Sequence, residues 1–155
     1  MQFVFFNETY QPFIDRYQLV ESQLRFTNHP QAAVKLASAI RTPILVLAEG
    51  KLVTYFDLHR EEGVAPYSDN PHAILLRAFS TDVQEQGKGY AKQALQQLPG
   101  FVKKHFPTIN EIVLAVNTEN VVAQGLYKKC GFIDYGERRE GRMGELIVMS
   151  YALES

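Results

Sequence analysis

Asp82-Val83-Gln84-Glu85-Gln86-Gly87-Lys88-Gly89-Tyr90-Ala91-Lys92 leaves an apolar strand, passes two glycines spaced by one residue, and enters a periodic helix. That arrangement is an anion site. The start of a helix leaves about four backbone N–H groups without intrahelical partners and carries roughly half a positive charge. Glycines let a phosphate approach the main chain with no Cβ in the way, and the small Ala91 extends that bare surface one turn into the helix. Two familiar phosphate loops do not fit. There is no G-x-x-x-x-G-K-[ST], so no nucleotide triphosphatase is implied, and Lys92 stands where G-x-G-x-x-G needs its last glycine. Lys88 and Lys92 either favour the phosphates or are solvated on the helix flank.

Outward from this loop, Ala73 to Ser80 reads as the strand before it and Gly87 to His105 as the helix after it. A break or kink is expected near Pro99-Gly100, because Pro99 lacks an N–H and crowds the Leu95 carbonyl. Glu111 to Val116, Phe132 to Gly136 and Glu145 to Leu153 read as further strands, and Asn120 to Lys129 as a helix. Upstream, residues 2–6 form a short apolar strand. Apolar residues recur at helical intervals from Phe13 to Phe26. Asn28-His29-Pro30 resembles an N-cap with proline in the first turn, opening a second helix from Gln31 to Ile40. Pro43 to Glu49 and Leu52 to Leu58 make a hairpin around Glu49-Gly50-Lys51, with Gly50 free to take positive φ. The polar stretch from Arg60 to Pro71 reads as an exposed loop, since too few residues follow it for an independent second core.

The chain has 155 residues, 46% hydrophobic and 21% charged, which fits one globular domain over 1–155 and excludes disordered, collagen-like and coiled-coil classes. A chain of that length buries roughly 70% of the surface its unfolded form exposes. Sixteen basic against seventeen acidic residues disfavour nucleic acid and anionic membranes as general partners. The single cysteine, Cys130, excludes an intrachain disulfide, and His29, His59, His72 and His105 are too scattered to suggest a metal centre. The first residues carry no basic segment, and no stretch approaches the ~18–20 apolar residues of a membrane span. A soluble, reduced, cytoplasmic protein is the expectation.

A second segment, Asn120-Val121-Val122-Ala123-Gln124-Gly125-Leu126-Tyr127-Lys128-Lys129-Cys130-Gly131-Phe132, completes the picture. Gln86-x-x-Gly89-x-Ala91 resembles the Q/R-x-x-G-x-G/A signature of the GNAT acyltransferase superfamily, and the second segment resembles that family's N-x-x-A-x-x-L-Y-x-x-x-G-F run. The two occur in the family's order, with a helix and a strand between them. The resemblance is firm from Ala73 to Phe132. It implies a mixed α/β, three-layer fold: a mostly antiparallel sheet of six to seven strands, splayed between the fourth and fifth, with about four flanking helices.

It also implies acetyl-CoA as cosubstrate, with no metal. Carried over, the amides of Gln86, Gly87, Lys88, Gly89, Tyr90, Ala91 and Lys92 hold the pyrophosphate. Phe79, Ser80 and Thr81 pair their main chain with the pantetheine and stabilise the carbonyl oxyanion. Asn120 either caps its helix or touches the cofactor. Tyr127, two turns later on the same face, is the catalytic residue expected to donate to the departing sulfur. Full proton transfer from a phenol (pKa near 10) to a thiolate (about 8.5) is uphill by roughly 2 kcal/mol, but hydrogen-bond donation while charge develops needs no such transfer.

The acceptor is a small primary amine or a protein amino group, attacked directly in a ternary complex because no covalent nucleophile stands out. Glu21, Glu49, Asp57 and Asp82 are candidate bases, and none has a motif behind it. Glu61-Glu62, Arg138, Arg139 and Arg142 read as solvated, Asn117 as part of a turn, and Cys130 as a buried small hydrophobe. Two rivals remain: a noncatalytic acyl-CoA sensor on the same fold, and a toxin acetylating aminoacyl-tRNA, which the net charge of −1 disfavours. Oligomeric state stays open, a homodimer included.

Overall fold

Alternating and continuous apolar runs become seven strands in the computed structural model, which describes residues 1–154. They are β1 (Gln2–Phe5), β2 (Arg41–Ala48), β3 (Lys51–His59), β4 (Ala73–Thr81), β5 (Glu111–Asn117), β6 (Ile133–Gly141) and β7 (Gly144–Ala152), in the sheet order β1-β2-β3-β4-β5-β7-β6. Every neighbouring pair is antiparallel except β4 with β5. That parallel pair is short. It runs only from Ala73 opposite Glu111 to Leu75 opposite Val113. Beyond that point the two strands part, so the splay implied between the fourth and fifth strands is present.

On one face lie α4 (Tyr90–His105) and α5 (Val121–Lys129), and their core contains Phe56, Leu58, Ile74, Leu95, Leu98, Ile112 and Met149. Against the other face pack α1 (Gln11–Arg16) and α3 (Pro30–Ala33), where Ile14, Tyr17 and Ala33 meet Leu45 and Tyr55. A smaller cluster on that second face joins Val64 and Tyr67, from the loop after β3, to Leu75, Val113 and Val148. No helix among the described residues is long and apolar enough to cross a membrane.

Several expected boundaries shift for physical reasons. The periodic segment from Phe13 to Phe26 divides into α1 and the one-turn α2 (Glu21–Leu24). Tyr17 turns to extended backbone between them, and Gln18 then exchanges bonds with the far end of β4: its N–H donates to Asp82 Oδ2 at 3.1 Å, and Val83 N–H donates to its carbonyl at 2.9 Å. The helix expected up to Ile40 ends in a 3-10 turn at Val34–Leu36. The Ser38 hydroxyl oxygen accepts from both Ile40 N and Arg41 N, and this local bonding starts β2 earlier than expected. Conversely, α4 runs unbroken through Pro99, because Leu95, Leu98 and Val102 keep one continuous buried stripe against the sheet. β6 extends well past Gly136 to Gly141, with a bulge between Asp134 and Arg138 at the positive-φ Gly136. The 60–71 loop contains one 3-10 turn, Glu61–Gly63.

One ionic cluster is buried in the sheet. Arg41 Nε donates to Asp57 Oδ2 at 2.7 Å, and the Tyr55 hydroxyl donates to Oδ1. Burial pushes the Asp57 carboxyl above its usual range, while Tyr55 and Arg41 pull the other way. Removing one partner of such a pair strands the other charge in the interior. Arg41→Ala is therefore expected to cost about 3–5 kcal/mol, read as a lower denaturant midpoint in chemical unfolding. An unchanged midpoint would show that the pair contributes nothing.

Candidate functional site

β4 ends at Thr81, and Asp82 immediately organises the exit. Its Oδ1 accepts from Gln84 N at 2.8 Å and caps the 3-10 turn Val83–Glu85, while Oδ2 accepts from Gln18 N. Gln86 is extended, Gly87 sits at φ 78° and Gly89 at φ 83°, and α4 starts at Tyr90. No side chain caps this helix. Its first main-chain bond runs from Gln93 N to Gly89 O, so the N–H groups of Tyr90, Ala91 and Lys92 lie ahead of the helical ladder. A Cβ built on Gly87 would meet nothing within 4 Å, and one on Gly89 only the Gln93 amide at 3.8 Å. The glycines thus supply the left-handed backbone and leave open space above it. Thr81, Gln86, Gly87, Gly89, Tyr90, Ala91 and Lys92 line one cleft of about 220 Å³, together with Glu85 and Leu126. The described atoms fit a diphosphate there: open donors, no capping rival, and no side-chain wall. Lys88 is turned aside, its ammonium 2.9 Å from the mostly buried Glu85 carboxylate, which holds the lysine above its usual pKa.

The fork beside this loop is anchored from a distance. At Ala78 the backbone takes φ 54°, and the β3–β4 register slips, so that Tyr55 faces Ser80 while Asp57 faces Arg77. This is a β-bulge in the strand that parts from β5. Holding a non-glycine residue there costs on the order of 1–3 kcal/mol, which the surroundings must offset. The Tyr17 hydroxyl donates to the Ser80 carbonyl at 2.7 Å, and Gln23 Nε2 donates to the Thr81 carbonyl at 3.0 Å. Two of the three carbonyls expected to face the pantetheine therefore already have side-chain donors. Sequence reasoning missed Tyr17 and Gln23, because nothing local links them to residues 63 and 58 positions downstream.

On α5, Asn120 Oδ1 accepts from Ala123 N at 3.3 Å, which is the capping role. Tyr127 lies on the same sheet face as Phe79, their rings edge-on at 6.1 Å, with Phe132 at 6.0 Å on another side. Burial pushes the Tyr127 phenol up, and no hydrogen bond contributes to that shift. The structure gathers Thr81, Gln86, Gly87 and Gly89 to Lys92 into one cleft, and Lys88 does not line it. Phe79 and Tyr127 stand together beside it, Ser80 is tied to Tyr17, and Asn120 is occupied in its cap.

The remaining candidates have other partners. Asp57 and Asp82 are engaged as described, Glu49 sits in the β2–β3 turn at φ 52°, and Glu21 is in the first turn of α2. Asn117 donates to the Met143 carbonyl and accepts from Glu119 N. The Cys130 thiol is raised by burial. Arg138 stays exposed, as expected, and pairs with Asp134, while the half-exposed Arg139 donates to the Pro66 carbonyl. A second cleft of about 200 Å³, between Tyr67, Glu111 and Tyr135, lies at the closed end of the β4–β5 pair and has no glycine loop. Among the described residues, no group of three or more His, Cys, Asp and Glu is placed to hold a metal ion.

Comparison with known proteins agrees with this geometry. The model of the acetyltransferase (GNAT) family matches residues 6–132. The uncharacterized N-acetyltransferase YbbJ of Bacillus subtilis (strain 168) is 40% identical over 152 residues, which cover 96% of this chain and 95% of that protein. Two solved structures share the fold. Aminoglycoside acetyltransferase AAC(6')-Ib, in complex with coenzyme A and kanamycin, superposes with a TM-score of 0.75 at 16% identity, over 97% of this chain and 93% of its own. The ribosomal-protein-S18-alanine N-acetyltransferase from Escherichia coli gives 0.71 at 15% identity, over 99% and 94%. The chain belongs to the GNAT acetyltransferase family: it is an acyltransferase whose cosubstrate is acetyl-CoA.

Proposed function

We propose that this protein transfers the acetyl group of acetyl-CoA to a primary amine by direct attack within a ternary complex. The observation that carries the reading is the uncapped start of α4 behind two positive-φ glycines, with open space where their side chains would be. In this reading the amides of Gln86 to Lys92 hold the diphosphate, an anion at a helix N-terminus. The pantetheine lies along Phe79 to Thr81 in the fork between β4 and β5. The main-chain N–H groups of this stretch that face the fork are the donors offered to the acyl oxygen.

The cosubstrate supplies an acetyl thioester: a nitrogen–carbon bond forms, the carbon–sulfur bond breaks, and sulfur leaves with the electron pair. Tyr127 meets that sulfur with its hydroxyl, which no protein group engages and which burial keeps protonated. The nitrogen must shed a proton. Asp57 and Asp82 are committed to buried bonds, which leaves Glu21 and Glu49 among the carboxylates named above to receive it through water. Asn120 fixes the first turn of α5 and with it the angle from which Tyr127 enters the cleft. Structural neighbours are named for acceptors as different as an aminoglycoside and a ribosomal-protein alanine, which is compatible with either a small or a protein amine here.

Three outcomes are expected. Tyr127→Phe lowers kcat about a hundredfold, measured by thiol release, while calorimetric coenzyme A affinity stays within about twofold; equal losses in both would argue for packing alone. The raised phenol keeps its proton at higher pH than free tyrosine, so kcat at saturating acceptor rises as the acceptor ammonium loses its proton and shows no fall up to about pH 10. A fall well before that would place the proton donor elsewhere. Gly89→Ala forces a side chain into left-handed backbone at about 1–2 kcal/mol. Coenzyme A should then bind roughly 5–30 times more weakly by calorimetry, and undiminished affinity would remove the diphosphate from this loop.

A further inference from the structure

Asp57 and Arg77 face one another across β3 and β4, yet they do not pair. Both Asp57 oxygens are already taken, Oδ2 by Arg41 and Oδ1 by Tyr55. Arg77 turns instead to His59, its Nη1 3.2 Å from the ring Nδ1. The contact makes Nδ1 the acceptor and leaves His59 neutral. Burial and the two arginines hold the His59 pKa below its usual value. A Cβ on Gly63 would fall 2.1 Å from this ring, so the main chain of the 3-10 turn backs the imidazole and fixes the arginine that leans on it. Two guanidinium charges thus share one carboxylate. Arg41 holds Asp57 Oδ2 with both Nε and Nη2, each at 2.7 Å, while the half-buried Arg77 has its side-chain bond to His59.

The position of this excess charge matters. The last β4–β5 pair is Leu75 with Val113; Arg77 is the next residue of β4 on that face, where the strands have parted. By the same register its counterpart on β5 is Ala115, small and partly exposed between the buried Leu114 and Val116. Tyr127 and α4 occupy the opposite face.

We infer that Arg77, braced by His59 and Gly63, binds a carboxylate on the acceptor, making the acceptor a small amine that carries its own carboxylate, such as an amino acid. This rests on the acetyl-transfer reading above. A planar guanidinium with free donors matches a carboxylate in two parallel bonds. Burial and the Arg41 charge depress the Arg77 pKa, so an incoming anion relieves an existing penalty. A polyamine, cationic on both sides of its reacting nitrogen, meets repulsion at the same place.

The test compares amino acids with their decarboxylated amines, phenylalanine with phenethylamine and lysine with 1,5-diaminopentane, in thiol-release assays. The wild type is expected to favour the amino acid by at least about tenfold in kcat/KM. Arg77→Gln should reduce that ratio about 10–100-fold, and Arg77→Lys should give an intermediate value. Equal turnover of both members, or preference for the decarboxylated amine, would overturn the carboxylate site while leaving acetyl transfer intact. Should Arg77→Gln not fold, the wild-type ratio still decides. Coenzyme A binding with no thiol release for any amine would overturn both readings together.

Discussion

The parting of β4 from β5 after Leu75 and Val113 is the constraint on which the rest depends. A parallel pair that stays closed satisfies its main-chain groups internally and has no room for a ligand between its strands. Here the pair opens three residues in. The glycine loop lies just past the β4 end, with Tyr127 on one face of the fork and Arg77 on the other. The bulge at Ala78 turns the strand at this point, in a conformation that an isolated alanine would avoid.

The β4 end is tied to the segment from Tyr17 through α2. Tyr17, Gln18 and Gln23 bond to Ser80, Asp82, Val83 and Thr81, drawing the β4 end toward the N-terminal helices and away from β5. The Tyr17 ring is almost wholly buried, and its hydroxyl finds both the carbonyl and the hydroxyl of Ser80, as a buried phenol requires. The N-terminal helices are thus more than a cover for one sheet face. They hold the glycine loop at its entry.

Charge is distributed unevenly around the opening, although the whole chain is nearly neutral. On the α4 side Glu85 balances Lys88, while Lys92 and the uncapped start of the helix leave positive charge at the cleft. On the opposite side Arg41 and Arg77 outnumber Asp57. Counting charged residues along the sequence averages these two surroundings into nothing, whereas a ligand meets only one at a time.

The amino-acid order by itself determined most of the strand-and-helix alphabet, the glycine loop and the Tyr127 helix, because these depend on local physics. Periodicity, positive-φ residues and a run of open helical N–H groups are written within a dozen neighbouring positions. It misled where distant groups compete with local preference, at the interrupted Phe13–Phe26 segment and at the long β6, and where the Ser38 hydroxyl offers its neighbours a local alternative to helix. Only the tertiary structure decided that Asp57 and Asp82 are structural acids, that Tyr17 and Gln23 fasten the fork, and that Arg77 lacks a carboxylate of its own. Each of those facts concerns partners many residues apart. Such partners meet only after the sheet has formed, and no spacing in the chain announces which of several acids a given arginine will find.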